Sequence, residues 1–182
     1  MNRDLKESIG KIKIILTDVD GVLTDGTIYT GNDGLELKRF SILDGAGAFL
    51  ARAGGLKVVI VSGRYSPATE QRARELRLED DCYQGRLDKV AVLKELKSRY
   101  GFRDEEAAYV GDDIIDLEIM EQVGLPVAVA NSHPLVKAVA KFTTRARGGE
   151  GAFREAVEII LEGKGILVSA VEKLQRRISS DS

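Results

Sequence analysis

The chain has 182 residues, 43% hydrophobic and 31% charged, with a formal net charge of −2. That size fits one domain with a sizeable core, and the lack of a basic excess gives nucleic-acid binding no support. No apolar stretch approaches the ~20 residues of a membrane span, the segment Met1 to Gly10 is too charged for a secretory signal, and the lone Cys82 rules out an intrachain disulfide or a thiol-metal cluster, which points to a reducing cytoplasm.

The apolar run Ile12 to Leu16 stops at two carboxylates, Asp18 and Asp20, and Gly21 permits a sharp turn. Short β-branched runs with such endings read as buried parallel strands. The carboxyl end of a central strand is where open α/β sheets bind ligands. Two carboxylates this close repel by on the order of 4 kcal/mol at about 4 Å, unless a cation lies between them. Mg²⁺ suits such a pair, because it uses one or two carboxylates together with phosphate oxygens. A carboxylate also serves as a nucleophile toward phosphorus while a neighbour handles protons. A solvated Asp-Gly turn is the competing reading of this stretch.

Gly26 to Phe40 alternates around Gly31-Asn32-Asp33-Gly34 and predicts a β-hairpin, placed to project over the pocket as a flap. Ser41 to Gly47 turns into a helix that ends near Ala53, before Gly54 and Gly55. Lys57 to Val61 is a second buried strand, ending in Ser62, Gly63 and Arg64, a hydroxyl and a fork of donors suited to oxyanions. Pro67 opens a helix that Ser66 can cap; it carries Arg72 and Arg74, and Arg74 reads as surface charge.

A weaker strand around Cys82 to Gln84 leads to Asp88 and Lys89, which open a helix to about Tyr100. The strand Ala107 to Val110 ends in Gly111-Asp112-Asp113-Ile114-Ile115-Asp116. Three aspartates at one turn exceed what a helix cap needs and favour a metal site. Pro126 to Val129 is a further strand, His133 beside Pro134 reads as structural, and Lys141 to Thr144 is a last short strand. Arg145 to Gly151 reads as a flexible loop and Ala152 to Leu161 as helical. The tail from Gly165 predicts a small amphipathic helix with a polar end, Ser179 to Ser182, whose Ile166, Leu167, Val171 and Leu174 imply a subunit contact. The expected architecture is a single α/β domain, a doubly wound parallel sheet over about residues 12–161 with a C-terminal tail. Asp18/Asp20, Ser62, Lys89 and Asp112/Asp113 then converge at its strand ends.

In that order the D-V-D-G, V-S-G, Lys and G-D-D-x-x-D elements resemble the four signatures of the haloacid dehalogenase superfamily of phosphotransferases. D-V-D-G-V-L-T-D-G, Y-Q-G and G-G-E-G-A-F-R-E narrow the resemblance to its capless 3-deoxy-D-manno-octulosonate 8-phosphate phosphatases and their nonulosonate 9-phosphate relatives. The resemblance implies a Mg²⁺-dependent sugar-phosphate phosphatase with Asp18 as nucleophile and Asp20 as general acid and base. It implies that Ser62 and Lys89 hold the phosphoryl group. Asp18, the Asp20 carbonyl and Asp112 would bind the metal, with Asp113 beside it and Asp116 in support. Asp20, Ser41, Asp44, Gly45, Gly63, Arg64, Arg72 and Lys89 would meet substrate. It further implies a homotetramer in which the 145–151 loop reaches a neighbour's substrate.

Leu43, Phe49 and Glu150 stand where octulosonate enzymes usually carry arginine, which leaves nonulosonate 9-phosphates as alternative substrates. A signalling receiver domain shares several of these residue types, but its acidic pair comes first in the chain rather than last. A catalytically silent oligomerisation module is a further alternative, opposed by the retention of every expected catalytic residue type.

Overall fold

Along the first strand, Ile15 packs with Val58, Ile60, Ala108 and Val110 on one side of the sheet, and Ile14 and Leu16 pack with Val59, Val61, Ala107 and Tyr109 on the other. Successive side chains of a strand point to opposite faces, so a strand of unbroken apolar character is covered on both. The computed structural model describes residues 3–180; Asp181 and Ser182 of the expected polar tail lie outside them. The elements are α1 (Arg3–Lys11), β1 (Ile14–Thr17), β2 (Tyr29–Thr30), β3 (Glu36–Leu37), α2 (Ile42–Ala53), β4 (Lys57–Val61), α3 (Pro67–Glu75), β5 (Cys82–Tyr83), α4 (Lys89–Tyr100), β6 (Ala107–Gly111), α5 (Leu117–Met120), β7 (Leu125–Ala128), α6 (Pro134–Val139), β8 (Phe142–Thr143), α7 (Ala152–Gly163) and α8 (Leu167–Ser180).

Six strands form one parallel sheet in the order β5-β4-β1-β6-β7-β8. From β1 the chain builds one wing through β4 and β5, then crosses to build the other through β6, β7 and β8. The reversal falls at β1, and the carboxyl side of such a switch point is where doubly wound sheets form their crevice. Thr17 pairs with Ile60 on one side and Val110 on the other. That register brings Asp18, Ser62 and Asp112, each just past its strand, to the same edge.

Helices α1, α2, α3, α7 and α8 contribute to the core on one face, and α4, α5 and α6 to that on the other. Ser66 caps α3, with its Oγ accepting from Thr69 N, and His133 caps α6, with Nδ1 accepting from Leu135 N at 3.2 Å. The hairpin turns through Asp33 and Gly34, whose φ values of 58° and 78° fit the Asn-Asp-Gly sequence. A bridge between Thr24 and Phe40 closes its base.

Two expectations are corrected. Three of the tail's four named apolar residues are used within this chain: Ile166, Leu167 and Leu174 pack on the core, beside the fully buried Ala170, because α8 lies along α2, whereas Val171 stays exposed. The 145–151 loop is not a free arm. Gly148 and Gly149 are buried, Gly148 N donates to Asn131 Oδ1 and Gly149 N to Val22 O, both at about 2.9 Å or less. A Cβ at Gly148 would lie 1.7 Å from Gly21 O, so glycine there allows the loop to press against the turn after β1. Helix α1, absent from the sequence expectations, buries Ile9 and is held from below by Lys164, whose Nζ donates to Gly10 O and Ile12 O.

Candidate active site

Asp18 follows β1 and is 4% exposed; its backbone N donates to Val110 O, which fixes the turn against β6. Gly21, at φ 99°, closes that turn directly under Asp112: a Cβ there would stand 2.0 Å from Asp112 Oδ2. Only glycine accommodates both the left-handed backbone and the close approach.

Lys89, the first residue of α4, projects inward and is 2% exposed, while Asp88 caps the helix by accepting from Ala91 N. Its Nζ lies 2.9 Å from Asp18 Oδ1 and 2.7 Å from Asp116 Oδ1, and it donates to the Tyr109 hydroxyl. Tyr109 donates in turn to Asp116 Oδ1 at 2.6 Å, and the backbone N–H groups of Asp112 and Asp113 donate to Asp116 Oδ2. Both oxygens of Asp116 are therefore occupied, which makes it a buried brace for Lys89 and for the turn after β6. Burial opposes charge on Lys89, but the carboxylates of Asp18 and Asp116 outweigh it and hold its pKa above the usual lysine value. The Tyr109 phenol is likewise driven up by burial and by these carboxylates.

Asp18, Asp112 and Asp116 each bring a carboxylate oxygen to within 4.8 Å of the others. Asp112 Oδ1 is buried and has no hydrogen-bond partner among the described residues. Burial first, then the negative charges of Asp18, Asp116 and Asp113, push the Asp112 carboxyl up to about 8. Burial likewise pushes Asp18 up to about 6, against the pull of Lys89. Buried carboxylates so placed hold protons or a cation. Counting Asp20, four carboxylates face two ammonium groups, Lys38 and Lys89, which leaves the charge of one divalent cation to be matched. The all-oxygen donor set suits Mg²⁺, with Asp18 and Asp112 as the carboxylates not already saturated by the protein.

Asp20 is ion-paired with Lys38 from the hairpin, at 2.7 Å. Ser62 ends β4 at 2% exposure; its Oγ donates to Arg64 O and accepts from Arg64 N, which shapes the loop after the strand. Arg64 pairs with Glu36 of the hairpin. Gly63 lies under Leu87, at 3.1 Å from a would-be Cβ. Asp113 is exposed and caps the following turn through Ile114 N, so the structure places it outside the acidic group.

A second set of expected residues makes its contacts where α2, α3 and α7 meet. Asp44, 3% exposed, accepts from the backbone N of Gly151 and of Arg154 and so caps α7. Arg72 donates to Ser41 O and to Glu75, and a Cβ on Gly45 would stand 2.5 Å from its Nη2. Arg74 pairs with Glu70 on the surface of α3, as a solvated charge does. Sequence reasoning missed Lys38, Tyr109 and Glu36. No local pattern in the hairpin says what Lys38 meets once the strands fold back on the turn after β1.

The family model described as haloacid dehalogenase-like hydrolase matches residues 81–153. The 3-deoxy-D-manno-octulosonate 8-phosphate phosphatase of Escherichia coli (strain K12) is 41% identical over 170 residues, 93% of this chain and 90% of that protein. The crystal structure of the enzyme of that name from Yersinia pestis superposes with a TM-score of 0.89 at 40% identity, over 92% of this chain and 90% of that one. That of Moraxella catarrhalis, in complex with magnesium ion, phosphate ion and a KDO molecule, gives a TM-score of 0.90 at 32% identity, over 94% and 98%. With its acidic cluster at the sheet's switch point and this extent of likeness, the chain belongs to the haloacid dehalogenase-like hydrolases, in their 3-deoxy-D-manno-octulosonate 8-phosphate phosphatase family.

Proposed function

We propose that this chain is a Mg²⁺-dependent phosphatase that hydrolyses 3-deoxy-D-manno-octulosonate 8-phosphate through an aspartyl-phosphate on Asp18. The observation that carries the reading is the buried Asp18–Lys89–Asp116 network beside the partnerless Asp112 Oδ1. The Asp18 and Asp112 carboxylates and the Asp20 carbonyl would hold Mg²⁺, which would supply neutralisation of phosphoryl charge and relieve the repulsion between these acids.

Asp18 attacks phosphorus, and the ester bond to the sugar breaks in line. Asp20 gives the departing alkoxide its proton. Asp20 then takes a proton from water, which cleaves the acyl-phosphate to inorganic phosphate and restores Asp18. Lys89 offsets the charge of Asp18 and, with Ser62 and the backbone after β4, would hold phosphoryl oxygens. Little covalent chemistry is needed beyond positioning and charge neutralisation. Arg64 and Gly63 would flank the sugar side, whereas Ser41, Asp44 and Gly45 at the start of α2, with Arg72 of α3, would support it from the junction of α2, α3 and α7.

The exposed Tyr65, Leu87, Ile114 and Ile115 sit on the loops around the strand ends, with Leu87 and Ile115 converging over Gly63. Apolar residues grouped at a site mouth call for a cover. A neighbouring copy in a homotetramer provides one, in the reducing cytoplasm that the lone cysteine suits; light scattering of the purified protein tests the assembly.

A nonulosonate 9-phosphate substrate is favoured by one observation: Leu43 is half-exposed and apolar, and Glu150 faces Arg39 at 3.8 Å, so neither offers a free cation to a sugar carboxylate. Phe49 carries no weight here, since it lines a groove with Leu174 and Arg77 between α2 and α8. Phosphate release with Mg²⁺ from octulosonate 8-phosphate, nonulosonate 9-phosphates and hexose phosphates tests the reading. The octulosonate ester is expected to be the best substrate, and Asp18→Asn to abolish turnover. Equal rates on hexose phosphates, or substantial turnover by Asp18→Asn, overturn it.

A further inference from the structure

Lys38 leaves the hairpin just after β3, and its side chain is wholly shielded from solvent. Its Nζ lies 2.7 Å from Asp20 Oδ1 and 2.9 Å from Oδ2, with Thr69 Oγ1 at 3.4 Å and Glu36 Oε1 at 3.9 Å. A lysine is buried only where partners compensate its lost hydration, and here they come from three separate elements: the turn after β1, the hairpin itself, and the first turn of α3. Glu36 also pairs with Arg64 after β4. The hairpin is thus fastened to both loops that flank Asp18, and its principal fastening is to Asp20.

We infer that Lys38 is a positioning residue: it donates to Asp20 Oδ2, with its ammonium 2.7 Å from an Oδ1 that has no hydrogen-bond partner among the described residues and is left to carry the proton, and so sets the orientation from which that side chain serves the reaction, tying it to the seating of the hairpin. The inference rests on the proposed roles of Asp18 and Asp20. The leaving alkoxide and the later attacking water each take the position in line with Asp18, on the far side of phosphorus. One orientation of Asp20 therefore serves both proton transfers, and a clamp that prevents rotation of the carboxylate raises the rate of each. Lysine suits the task because its compact ammonium brings three donors to one point, enough to hold Asp20 and Thr69 together. No proton leaves Lys38 in this scheme, and it touches neither phosphorus nor the leaving oxygen.

The test is a double-mutant cycle with Lys38→Met, Asp20→Asn and the pair, read by rapid quench as separate rates of phosphoenzyme formation and breakdown. Octulosonate 8-phosphate and p-nitrophenyl phosphate are run in parallel. Lys38→Met is expected to lower kcat about 10- to 100-fold with KM changed less than about 3-fold, and Lys38→Arg to recover part of the loss. In the Asp20→Asn background the same substitution is expected to cause no further loss, because residues that act through one another are not additive. Full additivity, a raised KM at unchanged kcat, or wild-type rates for Lys38→Met overturn the inference. Thr69→Val, which removes only a secondary partner of the ammonium, gives a milder loss of the same kind and keeps the cycle readable should Lys38→Met not fold. A wrong substrate assignment shows itself differently: the wild-type enzyme then fails on the sugar ester, while the aryl ester still reports the coupling.

Discussion

The Lys89 ammonium stands 2.9 Å from Asp18 Oδ1, with both side chains almost wholly hidden from water. The nucleophile and its counter-charge are therefore one unit, assembled from β1 and from the first turn of α4. Lys89→Met would leave Asp18, Asp112 and Asp116 without their shared buried cation. Breaking a buried pair from one side costs about 3–5 kcal/mol, and losing the charge beside the transferring group lowers kcat by on the order of 10³-fold. Thermal unfolding and phosphate release measure the two effects. A variant that keeps wild-type turnover would show that Lys89 is only structural.

Metal removal is expected to make stability depend on pH. Burial and mutual repulsion raise Asp18 to about 6 and Asp112 to about 8, both above the ~3.9 of an unfolded aspartate. Between about pH 4 and 8 the folded chain then binds more protons than the unfolded one, so without metal its stability falls as pH rises through that window. Mg²⁺ takes the place of those protons. Its stabilising effect is therefore larger at pH 8 than at pH 5.5, by on the order of a few kcal/mol. Melting curves with EDTA and with Mg²⁺ at the two pH values check this; an equal shift at both would count against the acidic cluster as the metal site.

Asp44 caps α7 from across the fold, through the backbone N–H groups of Gly151 and Arg154. Asp44→Ala would strand those donors in a buried place, at about 1–3 kcal/mol. For a chain of this length that lowers Tm by about 3–10 °C. KM for the sugar phosphate is expected to stay within about 3-fold, because the carboxylate is committed to the helix. Calorimetry and steady-state kinetics on the same preparation separate the two. A large KM effect at unchanged Tm would instead make Asp44 a substrate ligand.

The contrast between Asp18 and Asp44 shows what the sequence made legible. Asp18, Ser62 and Asp112 each end an apolar run, a one-dimensional signal that parallel pairing carries to one edge of the sheet. Asp44 is an aspartate in the first turn of α2, a place where local rules expect one, and its true partners lie more than a hundred residues away. Lys38 was hidden for a similar reason, since its partner Asp20 is reached only once the hairpin folds back. Helix α1 was obscured by its charge, although Leu5, Ile9 and Ile12 recur at helical spacing and Ile9 is buried. The glycines of the 145–151 loop read as freedom, whereas Gly148 serves close contact.

That contact gives the sharpest mutational expectation. Gly148 lies against Gly21 O and Thr24 O, and a methyl group at position 148 would meet backbone at 1.7 Å. No side chain there can swing aside to relieve it. Gly148→Ala must push the loop away from the turn that carries Asp18 and Asp20, breaking the Gly149 N to Val22 O and Gly148 N to Asn131 Oδ1 hydrogen bonds. Overpacking of this kind costs about 1–3 kcal/mol or more, and a displacement of the turn by about 1 Å lowers kcat on the order of 10²-fold. Gly34→Ala is the control. The φ of +78° at Gly34 makes alanine strained there, which Gly148 does not share, but its Cβ meets nothing within 4 Å, so the change strains only the hairpin tip. If Gly148→Ala and Gly34→Ala reduce kcat alike, the packed loop is not what fixes the turn.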